Sequence, residues 1–203
     1  MSPVPYLLTL LLIASTLVSC GTQHRFATAA EAAADSSPVY RLPYEEGKRY
    51  RLVQGYNSWF SHRGRLGLDF KMKAGTPVLA AREGVVTRAV DSFSGHGLNR
   101  KYLGRANAVV VRHADGSHLL YAHLQTRSVL VRPGDSVRAG QPIGRSGNVG
   151  YSAFPHLHLI AWGPTPQGRR AIPTRFYTDK GILYLKPGRR YRAVKAGEGK
   201  EVF

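Results

Sequence analysis

Short runs of alternating apolar residues, separated by turn residues, fill the chain from about Tyr44 onward. Examples are KRYRLVQGY, LGLDFKM, GVVTRAV and NAVVVRHADGSHLLYAHL, and the 22 glycines and 12 prolines are frequent between such runs. A period of two is typical of half-buried strands, and no long stretch has the 3.6-residue period of an amphipathic helix. The pattern therefore predicts an all-β domain of antiparallel strands that ends near residue 195.

The clearest predicted hairpin is AVVVRHADGSHLLYAH, in which Asp115 and Gly116 separate two period-two runs. An Asp-Gly pair supplies the positive φ angles that a tight turn needs. His113 and His118 flank this turn, and both are predicted to be surface residues of the hairpin.

The N-terminal stretch PYLLTLLLIASTLVSC is apolar, ends in small residues and is too short for a comfortable membrane-spanning helix. It predicts a cleaved lipoprotein-type export signal over residues 1–19. The segment LVSCG resembles a bacterial lipoprotein box, in which Cys20 is lipidated, becomes the first mature residue and anchors the protein to a membrane. The preceding MSPVPY lacks the usual Lys or Arg, so an unlipidated signal or a plain anchor is the alternative.

The remaining chain divides into a tether, a domain and a tail. Residues 20–43 are mostly small and polar, and they are predicted to form a flexible tether, with a short Ala-rich helix as the alternative. The domain is predicted over residues 44–195 and the tail over residues 196–203. Position 21 is glycine, whereas an aspartate at this position typically retains lipoproteins at the inner membrane. In a Gram-negative cell envelope we therefore expect the protein to be anchored in the outer membrane and to face the periplasm.

The formal net charge of +17, from 29 basic and 12 acidic residues, is dispersed in pieces such as NRKYLGR and KPGRRYRAVK. A dispersed excess of positive charge favours polyanions without identifying one. Because no aromatic-rich recognition motif accompanies the charge and an export signal precedes it, nucleic acid is not predicted as a partner. The single cysteine leaves no intrachain disulfide framework.

Two histidines stand one residue apart in the segment PHLHL. In a strand, His156 and His158 project to the same face, while Leu157 and Leu159 point to the opposite face and into the core. This geometry suits a metal site, although a hydrogen-bonded surface pair is the commoner role of such a spacing.

Three further ionisable residues favour a metal site. Asp69 lies between Leu68 and Phe70 in a strand-like run, where an unpaired buried carboxylate would be costly and a cation would offset that cost. His62 precedes this run, and His123 ends the apolar strand LLYAHL. Each taken separately could be a core histidine bonded to the backbone or a solvated acid. Their coincidence indicates a common site.

The ordered motifs resemble those of the zinc-dependent peptidoglycan endopeptidases of the LytM and lysostaphin type. The resemblance runs from about Leu42 to Tyr191 and rests on QGYNSWFSHRG, LGLDF, AGTPVLAAREGVV, VVRHADGSHLLYAHL, VRPGDSVRAGQPIGRSGNVGYS and PHLHL. It implies a LytM-like peptidase domain, built as an antiparallel β-sandwich or open barrel. It further implies one bound Zn²⁺ ion and hydrolysis of peptide bonds in peptidoglycan stems or cross-links during cell-wall remodelling.

The resemblance also implies the roles of five residues. His62, Asp69 and His158 would bind the zinc ion, and His123 and His156 would be catalytic residues that do not bind it. Two imidazoles and one carboxylate leave the ion a net positive charge and a fourth position for water. Either catalytic histidine could accept the water's proton or donate a hydrogen bond to the oxyanion, and the sequence leaves this division open.

Tyr56 matches a tyrosine that the family places near the oxyanion, although a core aromatic residue would be equally ordinary here. Two features depart from the family's pattern. The first histidine and the aspartate are seven positions apart instead of four, and Leu159 and Ile160 stand where the family has an aromatic residue and an acid. The segments DSFSGHGLNRKYLG and SGNVGYS are candidates for the rim of a substrate groove.

The main alternative is a non-catalytic LytM-like regulator that binds and activates cell-wall amidases. Such relatives lack one or more zinc ligands, whereas this chain retains them all. A different zinc hydrolase is disfavoured, because the acid commonly placed just after its histidine pair is absent. The cleaved bond and the oligomeric state are left open by the sequence.

Overall fold

The computed structural model describes residues 36–165 and 168–195. The predicted signal, the lipidation site Cys20 and the predicted tail lie outside these ranges. Within the two ranges, no helix has the length and apolar character that crossing a membrane requires.

Strands make up the regular structure of the described residues, apart from one turn of 3₁₀-helix at Arg100–Tyr102. In chain order the strands are β1 (Val39–Arg41), β2 (Arg49–Gln54), β3 (Gly67–Lys71), β4 (Pro77–Leu79), β5 (Gly84–Val90), β6 (His96–Gly97), β7 (Ala108–Arg112), β8 (His118–Ala122), β9 (Ser136–Val137), β10 (Pro142–Arg145), β11 (Gly150–Tyr151), β12 (His156–Thr165), β13 (Gly168–Ala171), β14 (Arg175–Thr178), β15 (Gly181–Leu183) and β16 (Arg190–Arg192).

Nine strands form the main sheet, in the order β16-β2-β3-β12-β8-β7-β5-β9, with β13 paired to β12 beside this path. Its pairings are antiparallel. There are three smaller sheets: one has three strands in the order β1-β14-β15, one pairs β4 with β10, and one pairs β6 with β11. The all-β, mainly antiparallel fold is confirmed. The pairs β1–β14 and β6–β11 are parallel, which was not predicted, because a period-two pattern indicates a strand but not the direction in which it pairs.

The alternation seen in the sequence separates the two faces of the main sheet. Leu68 and Phe70 in β3, and Leu157 and Leu159 in β12, are between 0% and 2% exposed and belong to one core cluster. Burial of each such side chain contributes about 1.5–3 kcal/mol. The intervening residues of the same strands project to the opposite face, where the ionisable residues lie.

The folded domain begins before residue 44, the boundary predicted from composition. Strand β1 lies within the predicted tether, yet Tyr40 is fully buried and Leu42 is 3% exposed, and both belong to the core cluster. This strand pairs in parallel with β14, far along the chain. The run VYRL stands between two prolines and is too short to be recognised as a strand without its distant partner.

The predicted hairpin forms between β7 and β8, with Gly116 at a φ of +78° in its turn. The prediction that His113 and His118 lie on its surface is wrong, since they are only 3% and 9% exposed. The ring of His113 packs edge-on against that of Tyr40, with centroids 5.4 Å apart. The unrecognised strand β1 therefore explains the burial of His113.

The burial of His113 predicts an acid-sensitive fold. Its Nδ1 lies 2.7 Å from the carbonyl oxygen of Glu83, its Nε2 has no partner in the described part of the chain, and burial lowers its pKa. Because the folded-state pKa is below the unfolded value, stability is fully retained above pH about 6.5 and is lost as pH falls toward the folded-state pKa. We expect His113→Gln to flatten the fall in the free energy of unfolding between pH about 7 and about 5.

Urea unfolding across that pH range measures the slope. The matched control is His96→Gln, at an exposed histidine, which should keep the wild-type slope. A His113→Gln variant as acid-sensitive as the wild type would show that other groups carry the effect.

Candidate metal centre

Four adjacent strands bring polar residues into one row across the main sheet. The register places Gln54 of β2 opposite Asp69 of β3, Asp69 opposite His158 of β12, and His158 opposite Ala122 of β8. His123 follows Ala122 directly at the end of β8. A register shift in β2 between Leu52 and Gln54 produces the first of these pairings. Sheet pairing therefore gathers residues that lie far apart in the sequence.

His62 reaches the same place from the loop between β2 and β3. Its side chain is 3% exposed, and its Nδ1 lies 3.1 Å from the carbonyl oxygen of Gly55. Because a carbonyl can only accept, Nδ1 carries a proton and Nε2 is the nitrogen that faces the cluster. That Nε2 lies 3.3 Å from Asp69 Oδ2, so the ring is already turned toward the row.

Asp69 is the centre of the cluster and is 1% exposed. Its Oδ1 lies 2.6 Å from His158 Nδ1, and its Oδ2 accepts a hydrogen bond from Gln54 Nε2 at 2.7 Å. Burial by itself would raise the pKa of this carboxyl, but the hydrogen bonds of His158 and His62 outweigh burial and hold the pKa well below its ordinary value. For His62, burial would lower the pKa, but the hydrogen bond with Asp69 raises it overall. Asp69 is therefore an ionised carboxylate at neutral pH.

These residues fit one zinc ion. Ligand atoms of His62, Asp69 and His158 all lie within 4.8 Å of one another, and two imidazoles with one carboxylate are a typical zinc donor set. Gly67 supplies the space, because a Cβ there would lie 2.8 Å from His62 Cε1 and 2.9 Å from His158 Cε1. The donors, their burial and this cradle agree with the ligand set that the resemblance implies.

His123 and His156 form a second pair beside the ligands. Their ring centroids are 4.6 Å apart, and His123 lies 5.8 Å from the ring of His158. In each ring Nδ1 lies 2.8 Å from a backbone carbonyl oxygen, that of Val149 for His123 and that of Phe154 for His156. Each Nδ1 therefore donates, which leaves each Nε2 with a lone pair.

Both rings of this pair are neutral at physiological pH. Burial, followed by the neighbouring His156, lowers the pKa of His123 to about 3, and burial likewise lowers the pKa of His156. His123 also adopts a φ of +61°, a left-handed conformation uncommon outside glycine and concentrated at functional sites. A neutral imidazole with a free lone pair is equipped to accept a proton.

Tyr56 has a different set of contacts. Its hydroxyl accepts a hydrogen bond from Thr174 N at 2.8 Å and lies 2.8 Å from Thr174 Oγ1. Burial raises the pKa of this phenol to about 12. These contacts match the role of a packed aromatic residue, and the oxyanion role stays a prediction.

Three residues of the site were missed from the sequence. Gln54 fixes Asp69, Gly67 makes room for two imidazoles, and Ser152 Oγ lies 3.2 Å from His156 Nδ1. The alternation of KRYRLVQGY would place Gln54 on the same face as Leu52, which is fully buried in the core. The register shift between them reverses that placement, and nothing in the local pattern announces it.

Replacement of Gln54 by leucine should weaken zinc binding about 10–100-fold, because partners that orient metal ligands typically contribute that much. Leucine keeps the volume but removes the hydrogen bond to Asp69 Oδ2. The matched control is Ser61→Ala, which removes a hydroxyl 2.9 Å from Gln54 Nε2 and leaves the bond to Asp69 in place. Competition with a zinc-binding dye measures both affinities, and equal values would show that Gln54 does not orient the ligand.

Comparison with known protein families agrees with this geometry. Residues 63–168 match the sequence model of Peptidase family M23. The chain belongs to that family. The matched segment contains Asp69, His123, His156 and His158 and begins one residue after His62, so the role of His62 rests on its contacts. Membership confirms the predictions of a metallopeptidase and of zinc as its cofactor.

Several curated proteins are similar to this chain in sequence. A protein of Buchnera aphidicola named an uncharacterized metalloprotease is 34% identical over 134 residues, which is 63% of this chain and 32% of that protein. The DD-carboxypeptidase/endopeptidase Mpg of Neisseria meningitidis is 40% identical over 112 residues, 55% of this chain and 22% of that protein. Lysostaphin of Staphylococcus staphylolyticus is 43% identical over 94 residues, 46% of this chain and 17% of that protein. The similarity thus spans a third or less of each of these relatives.

Two solved peptidase structures are also similar to this chain. The catalytic domain of lysostaphin from Staphylococcus simulans is 30% identical with a TM-score of 0.43, covering 61% of this chain and 87% of that one. A zinc-containing peptidase from Vibrio cholerae is 26% identical with a TM-score of 0.46, covering 62% of this chain and 37% of that one.

Proposed function

We propose that this M23 metallopeptidase is a zinc-dependent endopeptidase that hydrolyses peptide bonds in peptidoglycan stems or cross-links. The observation that carries the proposal is the complete site, in which three ligands adjoin two neutral histidines. The names of relatives support the substrate: one is a peptidoglycan DD-endopeptidase of Vibrio cholerae, 40% identical over 92 residues. Another is a glycyl-glycine endopeptidase of Staphylococcus capitis, 42% identical over 114 residues.

The chain's own residues suit amide hydrolysis. His62, Asp69 and His158 would hold the ion, which when bound polarises a carbonyl and lowers the pKa of a bound water. His123 or His156, neutral and with a free Nε2, accepts a proton from the attacking water. As the water oxygen bonds to the carbonyl carbon and the carbon–nitrogen bond breaks, that proton passes to the leaving amine.

The carbonyl groups behind the histidine pair have a defined task. Val149 and Phe154 accept from Nδ1 of His123 and His156, so the Nε2 nitrogens are the ones presented to the reaction. A ring protonated during the reaction would be stabilised by Asp69, whose Oδ1 lies 3.7 Å from His156 Nε2. His156 therefore combines a proton-accepting atom with a nearby negative charge.

The cellular placement extends this proposal. An export signal over residues 1–19 with lipidation at Cys20 would tether the peptidase in the cell envelope, and Gly21 favours the outer membrane of a Gram-negative host, facing the periplasm. The peptidase would then work within reach of the cell wall. Metabolic labelling with an alkyne fatty acid, compared between wild type and Cys20→Ala, tests the anchor.

The alternative is the non-catalytic regulator of cell-wall amidases. A regulator needs a docking surface and has no use for ligands or for neutral histidines beside them. This chain keeps the full set, which favours the enzyme.

The test uses the purified chain without residues 1–19, loaded with zinc and incubated with purified peptidoglycan. We expect soluble muropeptides and new free amino groups, both abolished by a chelator and absent in Asp69→Asn. A zinc-loaded wild type that releases neither would refute the endopeptidase, and stimulation of a purified amidase by that same protein would establish the regulator.

A further inference from the structure

A basic pocket of about 360 Å³ is lined in part by residues that adjoin the site residues in the sequence. Seven residues line this arginine pocket: Phe60, Ser61, Arg63, Arg65, Arg100, Leu103 and Tyr151. They come from the loop before β3, from the 3₁₀ turn with the residue that follows it, and from β11.

The arginine pocket adjoins both the proposed metal ligands and the pair of neutral histidines. Ser61 and Arg63 flank the ligand His62, and Tyr151 precedes Ser152, whose Oγ lies 3.2 Å from His156 Nδ1. Because successive Cα atoms are about 3.8 Å apart, these lining residues lie within about one residue's length of a peptide substrate bound at the metal centre. The parallel pairing of β6 with β11 brings the insertion that carries Arg100 against Tyr151.

The charge of the pocket is uncompensated. None of its lining residues is acidic, and all three arginines are exposed. Arg63 Nε donates to the carbonyl oxygen of Trp59 at 3.1 Å, whereas Arg65 and Arg100 form no ion pair with any carboxylate of the described ranges. Guanidinium groups bind carboxylates in a two-pronged geometry that neutral amides cannot replace.

The walls of the pocket are apolar and exposed. Phe60, Leu103 and Tyr151 are 52%, 53% and 39% exposed, and they are half of the six large hydrophobic side chains that are exposed among the described residues. Exposed apolar groups gathered in a concavity indicate a binding surface. Apolar walls around guanidinium groups that have no carboxylate partner suit a peptide that presents a carboxylate on an aliphatic stem.

We propose that the arginine pocket binds a free carboxylate of the peptide substrate, so that the enzyme prefers stem peptides with ionised carboxylates to the same peptides with carboxamides. This inference rests on the proposed function, because it assigns the substrate class of the same site. It gives part of the chain's positive charge a local task in recognition.

The test compares two soluble cross-linked muropeptides that differ only in free acid against amide at their side-chain and terminal carboxyl groups. For the wild type we expect kcat/KM to be about tenfold or more higher for the acid form. The double variant Arg65→Gln with Arg100→Gln should raise KM for the acid form, leave kcat similar and bring the ratio of the two substrates close to one. Arg88→Gln, at an exposed arginine of β5 outside the pocket, is the control for nonspecific charge.

Calorimetry measures the binding of the same two peptides to the zinc-loaded wild type. It distinguishes failure of the pocket proposal from failure of the proposed endopeptidase function. Preferential binding of the acid form without cleavage of either peptide would refute the proposed function and support the pocket. Equal binding of both forms, or a preference that survives the double variant, would overturn the pocket. Loss of binding to anionic phospholipid vesicles in the double variant, with substrate preference unchanged, would assign the arginines to a lipid surface and also overturn the proposal.

Discussion

Replacing Gly67 with alanine is expected to weaken zinc binding and lower peptidase activity together. The added Cβ would lie 2.8 Å from His62 Cε1 and 2.9 Å from His158 Cε1, both well inside normal contact. Gly67 pairs with Ile160 of β12 within the main sheet, so its backbone is held and the imidazoles must move instead. Displacement of two of three ligands should weaken zinc affinity by at least about 100-fold, more than loss of a supporting partner alone.

The measurement is zinc affinity by competition with a chelating dye, together with release of muropeptides. Gly144→Ala is the matched control, because its Cβ would meet nothing closer than the Ser128 carbonyl oxygen at 3.4 Å, an ordinary contact. Circular dichroism establishes that both variants fold. A folded Gly67→Ala protein with wild-type zinc affinity would show that the two rings do not need this space.

Removing either neutral histidine should lower turnover strongly while leaving the metal in place. His123 and His156 donate through Nδ1 to backbone carbonyls and present Nε2 to the reaction, and neither belongs to the group of three residues that could hold a metal ion. Loss of a general acid–base group typically lowers rates by about 10²–10⁴-fold. We expect falls of that size in kcat for His123→Ala and for His156→Ala.

Steady-state kinetics across pH distinguishes the two roles. The histidine that accepts the water's proton should carry the acidic limb of the pH–rate profile, because protonation of its low-pKa ring stops the reaction, and its removal should flatten that limb. The other variant should keep the limb with a lower maximum. His96→Ala, at an exposed histidine of β6, is the control, and a kcat in either test variant within threefold of this control would contradict a catalytic role.

Residues on regular strands were the most predictable part of the site. The alternation of PHLHL and LGLDF put His156, His158 and Asp69 on one face and the leucines in the core, and the structure has this arrangement. A buried carboxylate in an apolar strand also indicates that a positive charge or hydrogen-bond donors lie nearby to compensate it. The ligand set itself came from the resemblance, because spacing along the chain does not show which strands are neighbours.

Features that depend on distant contacts were missed. Strand β1 is defined by its parallel pairing with β14, and Tyr40 on that strand buries His113, which the hairpin pattern had placed on the surface. Gln54 reaches Asp69 through a register shift, which breaks the alternation on which the prediction rested. In each case the local pattern was correct and the partner lay elsewhere in the sequence.

The arginine pocket shows the same limit. Its arginines at 63 and 65 are nearly forty residues from Arg100, and Tyr151 is farther still. The segments DSFSGHGLNRKYLG and SGNVGYS were predicted as candidates for the rim of a substrate groove. Arg100 and Leu103 of the first segment and Tyr151 of the second line the pocket, and the two segments pair through β6 and β11. Three arginines that are dispersed along the chain therefore line one pocket, where the parallel pair β6–β11 brings the insertion against Tyr151.

The most direct test of the central claim is the zinc content of three proteins, measured by elemental analysis after purification in zinc and removal of loosely bound metal. If His62, Asp69 and His158 hold the ion and His156 does not, the wild type and His156→Ala each contain one zinc per chain and His62→Ala contains none. A wild type without zinc, or a His156→Ala protein as empty as His62→Ala, would contradict this division between ligands and catalytic histidines.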